Sequence, residues 1–540
     1  MAIYVFFSTI LLALLSGCGN LPPSPGATIT ANEWGTDSPP PAPREFRAAW
    51  ISTVANIDWP SRRDLSVAQQ QAEIIAILER AHELNLNALI LQVRPSADAI
   101  YPSTLEPWSE FLSGAQGKPP TPFYDPLQMW IDEAHRRGIE LHAWFNPYRA
   151  QHTAAKSALS SMHIANTNPA IVKAYGGFLW MDPGEPQAAQ RTLDVILDVV
   201  RRYDIDGVHI DDYFYPYPVP VSATLNASGI SSASPVEADF PDGPSWQHYL
   251  ASGGTLTRAD WRRQNVNALI ERLYQSIHRE KRWIKFGISP FGLGRPERRP
   301  AGIVGFSQYD KLYADVELWL HKGWLDYLAP QLYWPIEQTP QAFEVLLDYW
   351  RRENVQARHL WPGLFTSRLA NASDSTAKSW PPDEILNQIA LTRAKEGVCG
   401  HLHFSMISLS ENRRGIGDRL AAGPYRVATL VPATPWLDRR QPPAPQLELQ
   451  GRDEVRNGTV KLKLSVSDGK PPVHYALWVR YGSEWRFMVM PGSRTEIELD
   501  SQASSGVLGS VVVSAIDRLG NESLRVRVVY PRATTALMPK

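Results

Sequence analysis

The densest chemistry in the sequence is VHIDDYF at 208–214. Side chains alternate along a strand, so Val208 and Ile210 share one face while His209, Asp211 and Tyr213 share the other. A carboxylate buried at a strand end costs several kcal/mol unless it is paired or hydrogen-bonded. Asp211 is therefore either a salt-bridge partner, with Arg94 available, or a group that does chemistry. Asp212 has the opposite parity but falls past the strand end, where the chain can turn it inward. The same alternation points Gln92 and Arg94 of LILQVRP inward, with His142, Trp144 and Asn146 of LHAWFNP and Gln331 and Tyr333 of APQLYW. Polar residues thus gather at the ends of apolar strands.

Asn146, Gln331, Arg94 and Arg149 can hydrogen-bond hydroxyl or acetamido groups, and Tyr148, Tyr213, Tyr215, Tyr333 and Trp334 offer stacking faces. Asp58 and Trp59, just past the first strand, are also placed to contact a ligand. Core packing competes with binding for each aromatic. A rival chemistry rests on His401 and His403, two apart on one strand, with His142 and His209 inward by parity: a metal beside Asp211 would support a metal-dependent hydrolase or deacetylase. These histidines come early in their strands, at a depth where hydrogen-bonded core residues are expected, so no metal or cofactor is assigned. A third class, a glycan-binding protein without catalysis, needs only the aromatics.

These residues sit in an alternation of short apolar runs and longer segments of helical period from Phe46 onward. Such a pattern requires parallel strands with crossover helices. Eight strands are expected: Phe46–Thr53, Ala88–Arg94, Glu140–Asn146, Gly207–Tyr213, Lys285–Phe291, Tyr327–Tyr333, Leu360–Thr366 and Gly400–Met406. Eight strand–helix units make a (β/α)8 TIM barrel over 44–425, whose chemistry belongs at the C-terminal ends of the strands. The longest loop, 214–256, follows the fourth strand. After Gly423 the period shortens, and 440–535 reads as a small all-β sandwich of immunoglobulin or fibronectin III kind. With 54 Lys+Arg against 55 Asp+Glu there is no basic field to attract nucleic acid, and 44% hydrophobic residues exclude wholesale disorder.

Five blocks resemble a known family: FRAAWISTVANIDWPSR at 46–62, NALILQVRPSADAIYPS at 87–103, DPLQMWIDEAHRRGIELHAWFNPYR at 125–149, DIDGVHIDDYFYP at 204–216, and KFGISPFG with YDKLYADVELWLHKGWLDYLAPQLYW within 285–334. They are similar to the bacterial glycosyl hydrolase-like ten family. The resemblance implies a TIM barrel on a lipoprotein anchor, often with a C-terminal β domain, and glycosidase activity. Through a divisome-localised member it implies cleavage of peptidoglycan strands lacking stem peptides. Such cleavage needs a carboxylic acid to protonate the leaving oxygen and a second carboxylate as nucleophile, base or stabiliser. Asp211 is the first; Asp212, Asp242, Asp310, Asp315 and Glu337 are eligible for the second, with Asp212 and Glu337 preferred.

The apolar run Ile3–Leu15 ends in Leu15-Ser16-Gly17-Cys18, which looks like a bacterial lipobox. Residues 1–18 are therefore expected to be a lipoprotein signal peptide, with Cys18 lipidated and the protein facing the periplasm, and Gly19 favours the outer membrane. The Pro-rich stretch 19–43 reads as a disordered tether. The expected partners are a glycan polymer and, through the lipid, a membrane; protein partners and oligomeric state are not legible.

Overall fold

A computed structural model of the chain describes residues 29–30, 38–220, 237–370, 379–450, 458–467 and 471–530. Cys18 and the rest of the expected signal peptide, residues 1–18, lie outside the described residues. The barrel strands are β1 (Phe46–Ile51), β2 (Ala88–Arg94), β3 (Glu140–Phe145), β4 (Gly207–Ile210), β5 (Lys285–Ile288), β6 (Tyr327–Leu328), β7, in two pieces His359–Leu360 and Gly363–Leu364, and β8 (Gly400–His403). Each pairs in parallel with the next, and β8 returns to β1 with Gly400 opposite Phe46. The first piece of β7 pairs with β6 and the second with β8, so the ring closes across Trp361-Pro362.

Helices cover the outside. Val67–Glu83 begins at Ser66, whose hydroxyl and backbone exchange hydrogen bonds with Gln69 in a capping box. It buries Val67, Ile74, Ile77, Leu78 and Ala81, the stripe that the sequence period predicts. Pro186–Arg202 and Arg258–Glu280 cover β3 to β5 in the same way.

Every expected strand begins within a residue of its expected position, but most end early. β4 stops at Ile210 rather than Tyr213, β5 at Ile288 rather than Phe291, and β6 at Leu328 rather than Tyr333. The apolar and aromatic composition runs on past these ends, while the backbone leaves the ladder to form the mouth of the barrel.

Inside, Gly207 and Gly287 make room for rings: a Cβ at either would lie 2.4 Å from His142 or 1.9 Å from Tyr327. The space holds a hydrogen-bonded column. Trp50 Nε1 donates to His209 Nε2 at 3.1 Å, His209 Nδ1 lies 3.0 Å from the Tyr327 hydroxyl, and that hydroxyl lies 2.9 Å from His142 Nδ1. An indole N–H only donates, so the His209 proton sits on Nδ1 and the column runs in one direction, through His142 Nε2 to Glu140 at 3.1 Å.

The C-terminal part is two antiparallel sheets around its own apolar core. One is Pro445–Gln450, Thr459–Val466 and Glu496–Asp500; the other contains His474–Tyr481, Glu484–Pro491, Gly506–Ile516 and Val526–Val529. Glu484–Pro491 was not expected; it is an edge strand on which Glu484, Arg486 and Met488 are exposed. Within the expected tether, Ile29–Thr30 pairs with Val526–Arg527, covering the open edge of the last strand, and Pro43 and Arg44 bond to Leu430 and Gly520. The β domain seals the N-terminal end of the barrel: Arg518 pairs with Asp204 and Asp206, and His474 Nε2 lies 3.0 Å from the Gly138 carbonyl.

Candidate active site

At the opposite, C-terminal end, a cavity of about 220 Å³ opens between the strand ends. Because β4 ends at Ile210, both Asp211 and Asp212 reach it, although strict alternation would have sent them apart. They are the only carboxyl groups among its described lining residues.

A relay fixes Asp211. The Gln92 carbonyl oxygen accepts from the Thr53 and Val54 amides at 3.0 and 2.9 Å, so its amino group must face Asn146, and it donates to Asn146 Oδ1 at 2.5 Å. Asn146 is thereby oriented to donate through Nδ2 to Asp211. Asp212 accepts instead from the Tyr217 hydroxyl, with the Gln331 amide beside it. Gln331 Nε2 also donates to the Ser289 carbonyl at 2.9 Å.

Burial pushes the Asp211 carboxyl up to about 7, and the charge of Asp212 adds to the push, against the attraction of Arg149 and the bonds from Tyr213 and Asn146. Burial lifts Asp212 to about 6, against the Tyr217 hydroxyl. The two therefore titrate as a pair that retains a proton near neutrality while the other member is ionised. An acid and a base side by side in a concave, water-poor site are the equipment of proton-assisted bond cleavage.

Arg149 is the one lysine or arginine among the described lining residues; its Nε donates to the Pro95 carbonyl at 3.0 Å, its guanidinium lies 4.9 Å from the Tyr213 ring centroid, and Nη2 is buried with no hydrogen-bond partner. Trp144 Nε1 is likewise buried and unpartnered at this wall. Trp50, Trp144, Tyr333 and Phe404 give the cavity a contiguous aromatic side, with Phe404 6.2 Å from Trp50 and 5.6 Å from Tyr333 between ring centroids. His152, at the rim, is held down at about 4 by burial and by Arg149, so its ring is neutral.

Of the residues expected at the site, Asp211, Asp212, Arg149, Tyr213, Gln331 and Tyr333 line the cavity, and Asn146 supports it from below. The others are elsewhere. Glu337 is exposed and does not line the cavity. Arg94 is fully buried in a two-point pair with Glu106, at 2.7 and 2.5 Å, and donates to the Asn146 and Pro147 carbonyls; it braces the end of β3 and does not reach a ligand. Asp58 is a latch, accepting from the Ser52 and Ile407 amides and the Ser405 hydroxyl. Trp59 packs edge-on against Trp130, and Tyr148 and Tyr215 are sealed in the core. Trp334 packs against Phe291 outside the lining. Asp242 is buried between Arg258 and Arg262, Asp310 bonds Ser307, and Asp315 caps the helix Val316–Lys322.

The histidines do not assemble with Asp211. His401 and His403 both bond the Tyr425 hydroxyl, His142 and His209 are held in the central column, and among the described residues no group of three His, Cys, Asp or Glu is arranged to hold a metal. The sequence reading missed Tyr217, Trp50 and Ser289. Tyr217 was visible only as part of the YPYP run, whereas Gln92 and Trp144 were inward by parity and went unassigned.

The family described as Glycosyl hydrolase-like 10 matches residues 45–381. Glycosyl hydrolase YngK of Bacillus subtilis (strain 168) is 40% identical over 494 residues, covering 89% of this chain and 92% of that protein. Glycosyl hydrolase DigH of Escherichia coli (strain K12) is 32% identical over 359 residues, 63% of this chain and 77% of its own. Among solved structures, the PgaB (BpsB) glycoside hydrolase domain from Bordetella bronchiseptica aligns with a TM-score of 0.44 at 12% identity, covering 70% of this chain and 98% of that domain.

Proposed function

The chain belongs to the glycosyl hydrolase-like 10 family and is a glycoside hydrolase, and from that premise we propose that it cuts bacterial cell-wall glycan with the Asp211–Asp212 pair. The observation that carries this reading is two buried carboxyls with raised proton affinity, alone in an aromatic-walled cavity at the C-terminal end of β4. The protonated member delivers its proton to the glycosidic oxygen as the C1–O bond breaks, and the ionised member stabilises the positive charge that develops on the sugar. Aromatic faces suit the C–H-rich faces of the rings.

The preferred substrate is peptidoglycan strands without stem peptides. Arg149 is the single fixed cation at the cavity and is itself buried, so nothing in the described lining clamps an acidic peptide. Mass spectrometry of products from amidase-treated strands and intact sacculi tests this: short oligosaccharides should come from the former, and equal release from intact sacculi excludes the preference. The protein acts in the envelope, held by a lipid on Cys18; Cys18→Ala should release it from the membrane fraction.

A further inference from the structure

The cavity holds two carboxyls and both come from one strand end. Their Cα atoms are neighbours, about 3.8 Å apart, so both approach a bound sugar from one wall. Direct displacement needs the proton donor and the nucleophile or base on opposite faces of the ring. No other described lining residue is a carboxylate; the side chains that reach the cavity from the more distant strand ends include Trp50, Gln331, Tyr333 and Phe404. Trp144 and Arg149 complete the lining, and Arg149 lies beside the Tyr213 ring.

We infer that the nucleophile is supplied by the substrate: the sugar whose bond is cut is a β-linked 2-acetamido sugar, and its own acetamido carbonyl oxygen attacks C1. This rests on the glycosidase reading of the same cavity. In the first step the carbonyl oxygen forms a bond to C1 while the C1–O glycosidic bond breaks. Its electron pair leaves with the departing oxygen, which takes the proton held by one member of the aspartate pair. The other, ionised member accepts a hydrogen bond from the acetamido N–H and balances the positive charge of the resulting oxazolinium ring. In the second step water attacks C1, the C1–O bond of the oxazolinium ring opens to restore the acetamide, and the water proton returns to the carboxylate that gave one up. No oxidant, reductant or metal is consumed. The aromatic wall receives the acetamido methyl, and the relay Gln92–Asn146–Asp211 holds one carboxylate still for a contact that must be made in the transition state.

The test uses the full chain and two probes. Aryl β-glycosides of N-acetylglucosamine carrying acetyl, mono-, di- and trifluoroacetyl groups weaken the carbonyl as a nucleophile step by step. kcat/KM should fall at least about a hundredfold across the series, whereas a flat series overturns the inference. The thiazoline of N-acetylglucosamine, a stable mimic of the oxazoline, should inhibit competitively and bind by calorimetry; absence of binding overturns the inference, as does a covalent sugar ester on Asp211 or Asp212 after reaction with a 2-fluoro glycoside. Turnover of parent glycan strands is scored separately. Strands cut with a flat series remove only the inference; no cleavage of any N-acetylated glycan removes the cell-wall reading and the inference with it.

Discussion

The two ends of the barrel bury carboxyl groups to the same depth and treat them in opposite ways. At the N-terminal end burial pushes Glu45, Glu140, Asp206 and Asp326 up, but Arg393, Lys285, His135 and His278 respectively outweigh it and hold each below the usual carboxylate range. At the C-terminal end burial prevails, lifting Asp58 and Asp212 to about 6 and Asp211 to about 7. The difference is the partner. A cation outweighs burial at these four lower acids; at Asp58, Asp211 and Asp212 hydroxyls, amides and the more weakly acting Arg149 do not. The lower end is where the β domain docks, through Arg518 on Asp204 and Asp206, and the upper end is where a substrate enters. A fully paired carboxylate holds structure together, and one with a proton to give is ready for chemistry.

The largest expected effect lies at the upper end. Asp211→Asn or Asp212→Asn should lower glycan turnover on the order of a thousandfold without lowering the melting temperature. At Asp211 the pH dependence has a definite sign. The unfolded group ionises near 3.8 and the folded one near 7, so its burial penalty is nil below pH 4, grows through pH 4–7 and is complete above 7. Asp211→Asn should therefore melt higher than the parent at pH 8, by about 2 kcal/mol, and equally at pH 4. A lower melting point at pH 8 would make the upper pair structural and erase the contrast.

At the lower end the sign reverses. Asp206→Asn removes the carboxylate shared by His135 and Arg518, leaving Arg518 only Asp204, and should lose about 3 kcal/mol of stability at pH 7. The native group is held below its unfolded value, so the stability it contributes is present above about pH 4 and lost as pH falls through the folded value. The penalty of the substitution should fade below pH 4. Turnover per folded molecule should stay near that of the parent; a thousandfold loss there would show that the two ends are not separate in function.

Smaller effects sharpen the upper end. Activity needs one aspartate protonated and one ionised, so kcat/KM should trace a narrow bell centred between about pH 6 and 7. Tyr217→Phe removes the hydroxyl that favours ionised Asp212 and should move the acidic limb up by about one pH unit, with a loss of about fivefold at pH 6. An unmoved limb would mean that Asp212 is not the group titrating there.

Much of this was legible without coordinates. The strand starts, the buried stripe of Val67–Glu83 and the inward parity of Gln92, Trp144, Gln331 and Tyr333 follow from periodicity, because alternation and 3.6-residue repeats are local properties of the chain. Asp211 stood out for the same reason. What parity does not carry is depth along the barrel axis. Arg94 and Asn146 share a face two residues from Gln92 and Trp144, yet Arg94 meets Glu106, twelve residues away, and is closed off from the mouth. Asp58 is taken by Ser405 and Ile407 across 347 residues or more of chain, and Tyr148 and Tyr215 are buried, Tyr215 against Phe240 and Tyr313.

The sequence by itself determined the eight strand–helix units, the β domain that follows them, and the strand end at which the carboxyls lie, since each is written in spacing and composition over a few tens of residues. Only the tertiary structure decided that β4 stops at Ile210 and so brings Asp212 to the same cavity as Asp211, that Tyr217 returns from the loop to meet it, and that cations outweigh burial at the lower acids but not at the upper pair. The physical reason is that hydrogen bonding and charge pairing between distant segments set both the end of a strand and the proton affinity of a buried group, and neither is a property of the local chain.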